Sequence, residues 1–353
     1  MPLPAWHPDS LADRLPFLRR RAALTAETRA FFTARGYTEV ETPALVPAPG
    51  MEVHLRAFRS AFRPHLGAGA ETPLWLRTSP ELALKRLLVA GAGKVFELAR
   101  CWRNGELSPR HAPEFTMLEW YAPGLPLDGL MDETEAFVRQ HLPPLVAHGN
   151  VTTDVTIPFE RLTISEAFRK YCNGLDVLST VNPETAEGDS AALYEAAAGL
   201  GLPPGLNWED AFFHLLLTHV EPRIGQGRAT FLSHWPAPQA ALAKRDPADP
   251  RAALRFELFV AGLELANAFE ELTDPAEQRL RFERDVALRE GPDSWPVDED
   301  FLRALEYGMP PSSGIALGFD RLAMLASGAQ RIDQVLWLPS AIPTSADRSA
   351  GQA

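Results

Sequence analysis

Residues 96–121, FELARCWRNGELSPRHAPEFTMLEWY, decide the reading of this 353-residue chain. Two arms, Phe96 to Arg103 and Glu114 to Tyr121, are rich in aromatic and β-compatible residues, and Asn104-Gly105, Pro and His111 lie between them. That order predicts a β-hairpin with a long turn. Strand residues alternate faces, so Phe115, Met117, Glu119 and Tyr121 share one side of the second arm. A carboxylate beside a phenol on a half-buried strand needs a partner, because an unpaired buried charge costs several kcal/mol or is neutralised by a proton. A bound cation would supply one. With Arg103, His111 and Phe115 in the same hairpin, the mixture suits a nucleotide together with an ammonium group. The spacing fits equally well an ordinary amphipathic hairpin with an internal Arg-Glu pair.

Working outward, the composition is that of a soluble globular protein, with 46% apolar and 23% charged residues and room for one large domain or two smaller ones. The net charge of -12 leaves no overall basic footprint, which argues against extensive nucleic-acid binding. Cys101 and Cys172 are the only cysteines, too few for a disulfide framework or a structural zinc site. No apolar run approaches the roughly 20 residues that span a bilayer. The opening MPLPAWHPDSLADRLPF lacks the basic-then-apolar order of a signal peptide. A cytoplasmic protein with no membrane partner is the expectation.

Helical spacing over Ser10 to Arg35, with Ser10 as cap and Gly36 as stop, predicts one long first helix. GYTEVETPALVPAPG then reads as a short strand ended by Pro43, Pro47 and Pro49. SPELALKRLLVAGAG predicts a helix with Ser79 as cap, Pro80 at its first position and Leu82, Leu84, Leu87 and Leu88 on its apolar face. Glu81 in its first turn favours the positive helix end, and serves equally as a candidate ligand. From about Leu127 to Val220 the pattern is mostly helical, and strand character returns at Ala229 to Pro236 and Leu254 to Ala268.

Within RFELFVAGLELANAFEEL, residues 255–272, Ala261-Gly262 is a candidate two-residue turn. Phe259 would then face Glu264, with Glu257 on the same side, and two converging carboxylates suit Mg²⁺ held jointly with phosphates. Strict alternation sends Asn267, Phe269 and Glu271 to the other face, so a common site requires a bulge between Leu265 and Asn267. Without a ligand the same residues make a solvated acidic edge. A helix is expected from about Pro275 to Arg289. In GIALGFDRL, residues 314–322, the small residues Gly314, Ala316 and Gly318 alternate on a strand and admit a planar ligand, while Arg321 opens a helix and can meet phosphate. Residues 341–353 read as a flexible tail.

RGYTEVETP, then FELARCWRNGELSPRHAPEFTMLEWY, then GIALGFDRL resemble motifs 1, 2 and 3 of the class II aminoacyl-tRNA synthetases, in that order. The lysine branch fits best, through TSPELALKRL, HAPEFTMLEWY and ELANAFEEL. Motif 1 already begins near Arg35, so no anticodon-binding domain is expected. In this the chain resembles the stand-alone paralogues of lysyl-tRNA synthetase that modify elongation factor P. Ser79, where synthetases usually carry Ala, and Ala316, where they usually carry Gly, agree with that branch.

The resemblance implies a single α+β domain over residues 1–340, an antiparallel sheet flanked by helices, and a homodimer formed partly by motif 1. It implies ATP and Mg²⁺, with (R)-β-lysine or lysine as substrate and a lysine of elongation factor P as acceptor. Moving an amino group by one carbon displaces it by about 1.5 Å, so the methyl of Ala316 bears on which isomer fits. Arg103 would bind the amino-acid carboxylate and the α-phosphate. Phe115 and Arg321 would sandwich adenine, with His111 and Arg321 reaching the outer phosphates. Asn104, Gly105, Ala112, Leu265 and Gly318 complete the expected ATP contacts, and Glu257 and Glu264 the expected metal ligands. Ser79, Pro80, Glu81, Glu119, Tyr121 and Glu271 would surround the ammonium groups, with Asn267 and Ala316 beside the carboxylate end. Arg103, Glu264 and Arg321 would carry the catalysis.

Two positions depart from the family pattern. Gly105 stands where motif 2 has Glu, so either Glu106 replaces it through a shifted loop or the contact is lost. Ala112 stands where close relatives have Asn. The motifs also fit a truncated lysyl-tRNA synthetase or another adenylate-forming amide ligase.

Overall fold

The computed structural model describes residues 3–50, 52–65, 70–289 and 294–340. The tail expected at 341–353 lies outside the described residues. Among those described, no helix is long and apolar enough to cross a membrane.

Helix α1 (Pro8–Thr33) starts two residues before Ser10, which is a correction to the expected cap. Pro8 supplies a preset helical φ, and the His7 ring accepts from the Asp9 N–H at 3.3 Å, so capping falls to His7. The main sheet is built from β1 (Thr38–Glu39), β2 (Val95–Trp102), β3 (Glu114–Pro123), β4 (Glu160–Thr163), β5 (Thr230–Pro236), β6 (Ala252–Val260), β7 (Leu263–Glu270) and β8 (Ser312–Gly318). In space the order is β1-β2-β3-β8-β7-β6-β5-β4. The six inner strands are antiparallel, and only the edges β1 and β4 pair in parallel. This is the expected α+β fold.

Register gives the two faces opposite characters. One face carries Phe96, Trp120, Ile315, Ala268 and Phe256, aligned across five strands. These residues are buried together with Leu24, Phe31 and Phe32 of α1 and Leu322 of the helix Phe319–Ser327. The other face carries Glu97, Glu119, Ala316, Asn267 and Glu257 in one transverse row. Helix α2 (Glu81–Val89) and the helices Pro275–Leu288 and Glu299–Gly308 close the flank of that polar face through Leu82, Leu84, Leu88, Phe282 and Phe301.

The β6-β7 hairpin turns at Ala261 and Gly262, both with positive φ (52° and 72°), as a two-residue turn that follows the strand twist requires. Phe259 faces Glu264 and Leu258 faces Ala266, so Leu265 is the extra residue of a bulge. This is the bulge predicted between Leu265 and Asn267. It brings Glu264 and Asn267 to the same face.

The segment from Leu127 to Val220 carries short strands besides its helices. The helices Leu127–His141, Ile164–Tyr171 and Trp208–Leu215 are present, yet Leu145–His148 and Val151–Asp154 form a hairpin and β4 joins the main sheet. These strands are only four residues long, too short to leave a clear alternation against the helical background.

Candidate active site

A cavity of about 370 Å³ lies over the polar face, a size suited to a small-molecule site. Of the expected residues, Ser79, Glu81, Arg103, His111, Ala112, Phe115 and Glu119 line it from α2 and the β2-β3 hairpin. Glu264, Leu265, Asn267, Ala316, Gly318 and Arg321 line it from β7, β8 and the helix that follows. Tyr121, Glu257 and Glu271 stand behind that lining, and Pro80, Asn104 and Gly105 do not line it either.

At one end Arg321 ties three elements together. Its Nη1 donates to the Glu264 carbonyl at 2.6 Å, and its Nη2 lies 2.6 Å from His111 Nε2. A guanidinium only donates, so His111 Nε2 is the acceptor and Nδ1–H is left to donate to Ser108 Oγ at 2.8 Å. Burial and the neighbouring Arg321 charge both lower the His111 pKa, which keeps the ring neutral. Asp320, beside Arg321, pairs with Arg21 of α1 and accepts from the Thr116 N–H at 2.7 Å, so the start of this helix is pinned to β3. Arg103 lies over the Phe115 ring, 5.1 Å from its centroid. Its Nε is buried without a hydrogen-bond partner, a donor available to a ligand. Glu106 comes within 3.8 Å of Arg103 and lines the cavity, so a carboxylate is present one residue beyond Gly105, whose φ of +85° shapes the shifted loop.

The other end is acidic. Glu119 is fully buried; its Oε1 accepts from Ser79 Oγ at 2.6 Å and its Oε2 from Tyr121 Oη at 3.0 Å. Ser79 Oγ in turn accepts from the Glu81 N–H at 3.0 Å, so the predicted cap exists, although Pro80 holds the cap position and the helix proper begins at Glu81. No cation among the described residues pairs with Glu119. Burial, reinforced by Glu81, pushes it up to about 8. Gly314 is required here, since a Cβ at that position would collide with the Tyr121 ring and lie 2.6 Å from Glu271 Oε1.

Sequence reasoning missed Lys85. Its Nζ lies 2.5 Å from Glu81 Oε1 and 2.5 Å from Glu271 Oε2, and the residue is 1% exposed. Glu81 and Glu271, read as free ammonium ligands, therefore already share an internal cation. The signal was the Glu81…Lys85 spacing of four on a helix, which usually marks a surface pair. Two carboxylates hold Lys85 charged against the cost of burial. Burial still raises Glu271 to about 8, and one of its oxygens, Oε1, has no partner. Arg77 and Glu97, 2.7 Å apart, form a second buried pair next to Glu119 in the transverse row. Cys101 is buried and its thiol is pushed far up by burial, so it packs and does not react.

Glu257 is buried, with Arg255 at 2.5 Å and Glu264 near enough that burial and Glu264 together raise it to about 8. Among the described residues no cluster of three or more metal-ligating side chains exists. Two mutually repelling carboxylates fit a divalent ion whose remaining ligands come from phosphates and water.

The family profile described as "tRNA synthetases class II (D, K and N)" matches residues 13–341. The chain belongs to the class II tRNA synthetases. Two relatives named elongation factor P–(R)-beta-lysine ligase, from Klebsiella pneumoniae subsp. pneumoniae strain MGH 78578 and from Klebsiella pneumoniae strain 342, are each 43% identical over 339 residues. Each match covers 94% of this chain and 96% of the relative. The β2-β3 hairpin and the β8-helix unit are neighbours in the sheet and both line the cavity.

Proposed function

We propose that this protein is an ATP-dependent ligase that activates (R)-β-lysine or lysine as an aminoacyl-adenylate and transfers it to a lysine ε-amine of elongation factor P. The observation that carries the substrate class is Glu119, a buried carboxylate with two hydroxyl donors and no cation among the described residues, in the same cavity as Arg103. A substrate ammonium supplies the missing charge. Near-full-length similarity to ligases of that name supports the acceptor.

Arg103 would hold the amino-acid carboxylate against the α-phosphate and stabilise the charge that develops there. The carboxylate oxygen attacks phosphorus, the bond to the β-phosphate oxygen breaks, and pyrophosphate leaves. An uncharged lysine ε-amine of the acceptor then attacks the acyl carbon, AMP departs, and the amine gives up a proton as the amide forms. No nucleophilic side chain is needed; alignment and electrostatics suffice. Phe115 and Arg321 would clasp the adenine, with His111 beside the outer phosphates. Glu257 and Glu264 would hold Mg²⁺, which would offset the charge of the pyrophosphate leaving group. A homodimer through the motif 1 region belongs to the same proposal.

The test is intact-mass measurement of elongation factor P and of tRNA after incubation with the purified chain, ATP, Mg²⁺ and each amino acid. A gain of one lysyl group on the protein is expected. Charged tRNA with unmodified elongation factor P would overturn the assignment.

A further inference from the structure

Behind the acidic end of the cavity lies a cation that does not itself line it. Lys85 bridges Glu81 from its own helix and Glu271 from the end of β7, at 2.5 Å each, almost wholly out of solvent. Glu119 faces the cavity from β3 with Tyr121 behind it, Glu52 lies near Glu81, and Glu97 next to Glu119 is offset by Arg77. Three buried carboxylates, Glu81, Glu119 and Glu271, stand against one ammonium, so these four buried groups when fully ionised carry a net charge of about −2, with the only partly buried Glu52 outside that count. A free amino acid with two ammonium groups, its carboxylate matched by Arg103, presents the complementary charge. The geometry points to Lys85 as the specificity-determining positioning residue of this pocket: by cancelling one of three buried carboxylates it sets the charge to that of a diammonium amino acid. This inference rests on the diamino-acid reading above.

The alternative is that Lys85 merely staples α2 to the end of β7. The two roles separate in the pH dependence of substrate binding. Glu119 and Glu271 are both raised to about 8, so a diammonium substrate must displace protons to bind, and its KM falls as pH rises through about 8. Removing the Lys85 charge raises Glu271 and Glu81 further, and each pKa unit costs about tenfold in binding below the inflection.

The experiment is ATP-pyrophosphate exchange with β-lysine and lysine from pH 6.5 to 9.5, on the full chain as wild type, Lys85→Met and Lys85→Met with Glu271→Gln. For Lys85→Met the KM inflection is expected to move up by about one unit or more, with KM near neutral pH raised about tenfold per unit. In the double variant, whose two remaining carboxylates restore the net charge of about −2, the inflection returns to the wild-type position even where KM itself stays high. A Lys85→Met profile superimposable on wild type, or a double variant displaced like the single one, would overturn the inference. If Lys85→Met fails to fold by thermal melting, the double variant decides alone, because it exchanges a buried ion pair for neutral groups of similar size. Absence of exchange by the wild type with any diamino acid would instead fail the functional assignment, before any variant is compared.

Discussion

Glu119→Gln should make the protein more stable and inactive at once. Burial moves Glu119 from an ordinary 4.5 to about 8, so the folded state holds a proton that the unfolded state releases. The folded form binds more protons than the unfolded between those two values, and stability therefore falls as pH rises from about 4.5 to about 8. Each pKa unit is worth about 1.4 kcal/mol, which sets a ceiling of about 5 kcal/mol for the strain present above pH 8. An amide of the same shape keeps acceptance from Tyr121 and a hydrogen bond with Ser79 without ever ionising. With an unfolding entropy of about 2.1 cal/mol/K per residue, the ceiling corresponds to about 7 °C, and a gain of roughly 3 to 6 °C is expected at pH 9. Differential scanning calorimetry of both proteins from pH 5 to 9 measures it, with pyrophosphate exchange read alongside. The gain should vanish toward pH 5. Lysine should raise the wild-type Tm at pH 9 and leave that of the variant nearly unchanged. A variant melting at or below wild type at pH 9, or a difference independent of pH, would refute the reasoning.

Other perturbations probe the remaining parts of the site. Gly314→Ala drives a methyl into the Tyr121 ring and toward Glu271 Oε1; it should cost about 1 to 3 kcal/mol in denaturant melts and lose amino-acid activation disproportionately. Arg321→Ala removes the bridge between His111 and the Glu264 carbonyl and should raise the KM for ATP at least about tenfold, with little rescue by Arg321→Lys, since an ammonium cannot hold both at once. Ser79→Ala deletes the hydroxyl that donates to Glu119 and lowers its pKa, so the pH at which the KM for lysine stops falling should move up. Glu257→Gln should increase the Mg²⁺ concentration needed for half-maximal exchange; an unchanged requirement would remove Glu257 from the metal site.

The β2-β3 hairpin was legible because two periodic signals coincide in it, strand alternation and a turn rich in Gly, Pro and Asn. The bulge at Leu265 was legible for a different reason: three polar residues of one hairpin could share a site only if alternation broke there. The short strands between Leu145 and Thr163 were hidden, because four residues carry too little period against helices on both sides.

By itself the sequence determined the order of the elements, the side of each strand that is polar, and the set of side chains able to meet a nucleotide and an ammonium. These follow from periodicities that act over a few residues. Only the tertiary structure decided which charges are already paired. Lys85 and Glu271 are 186 positions apart in the chain and 2.5 Å apart in the fold, and no local pattern links them. Burial then fixes the consequence: away from water an ion pair is a strong constraint, and Glu119, a buried carboxylate that pairs with no cation among the described residues, is where the proposed substrate cation would bind.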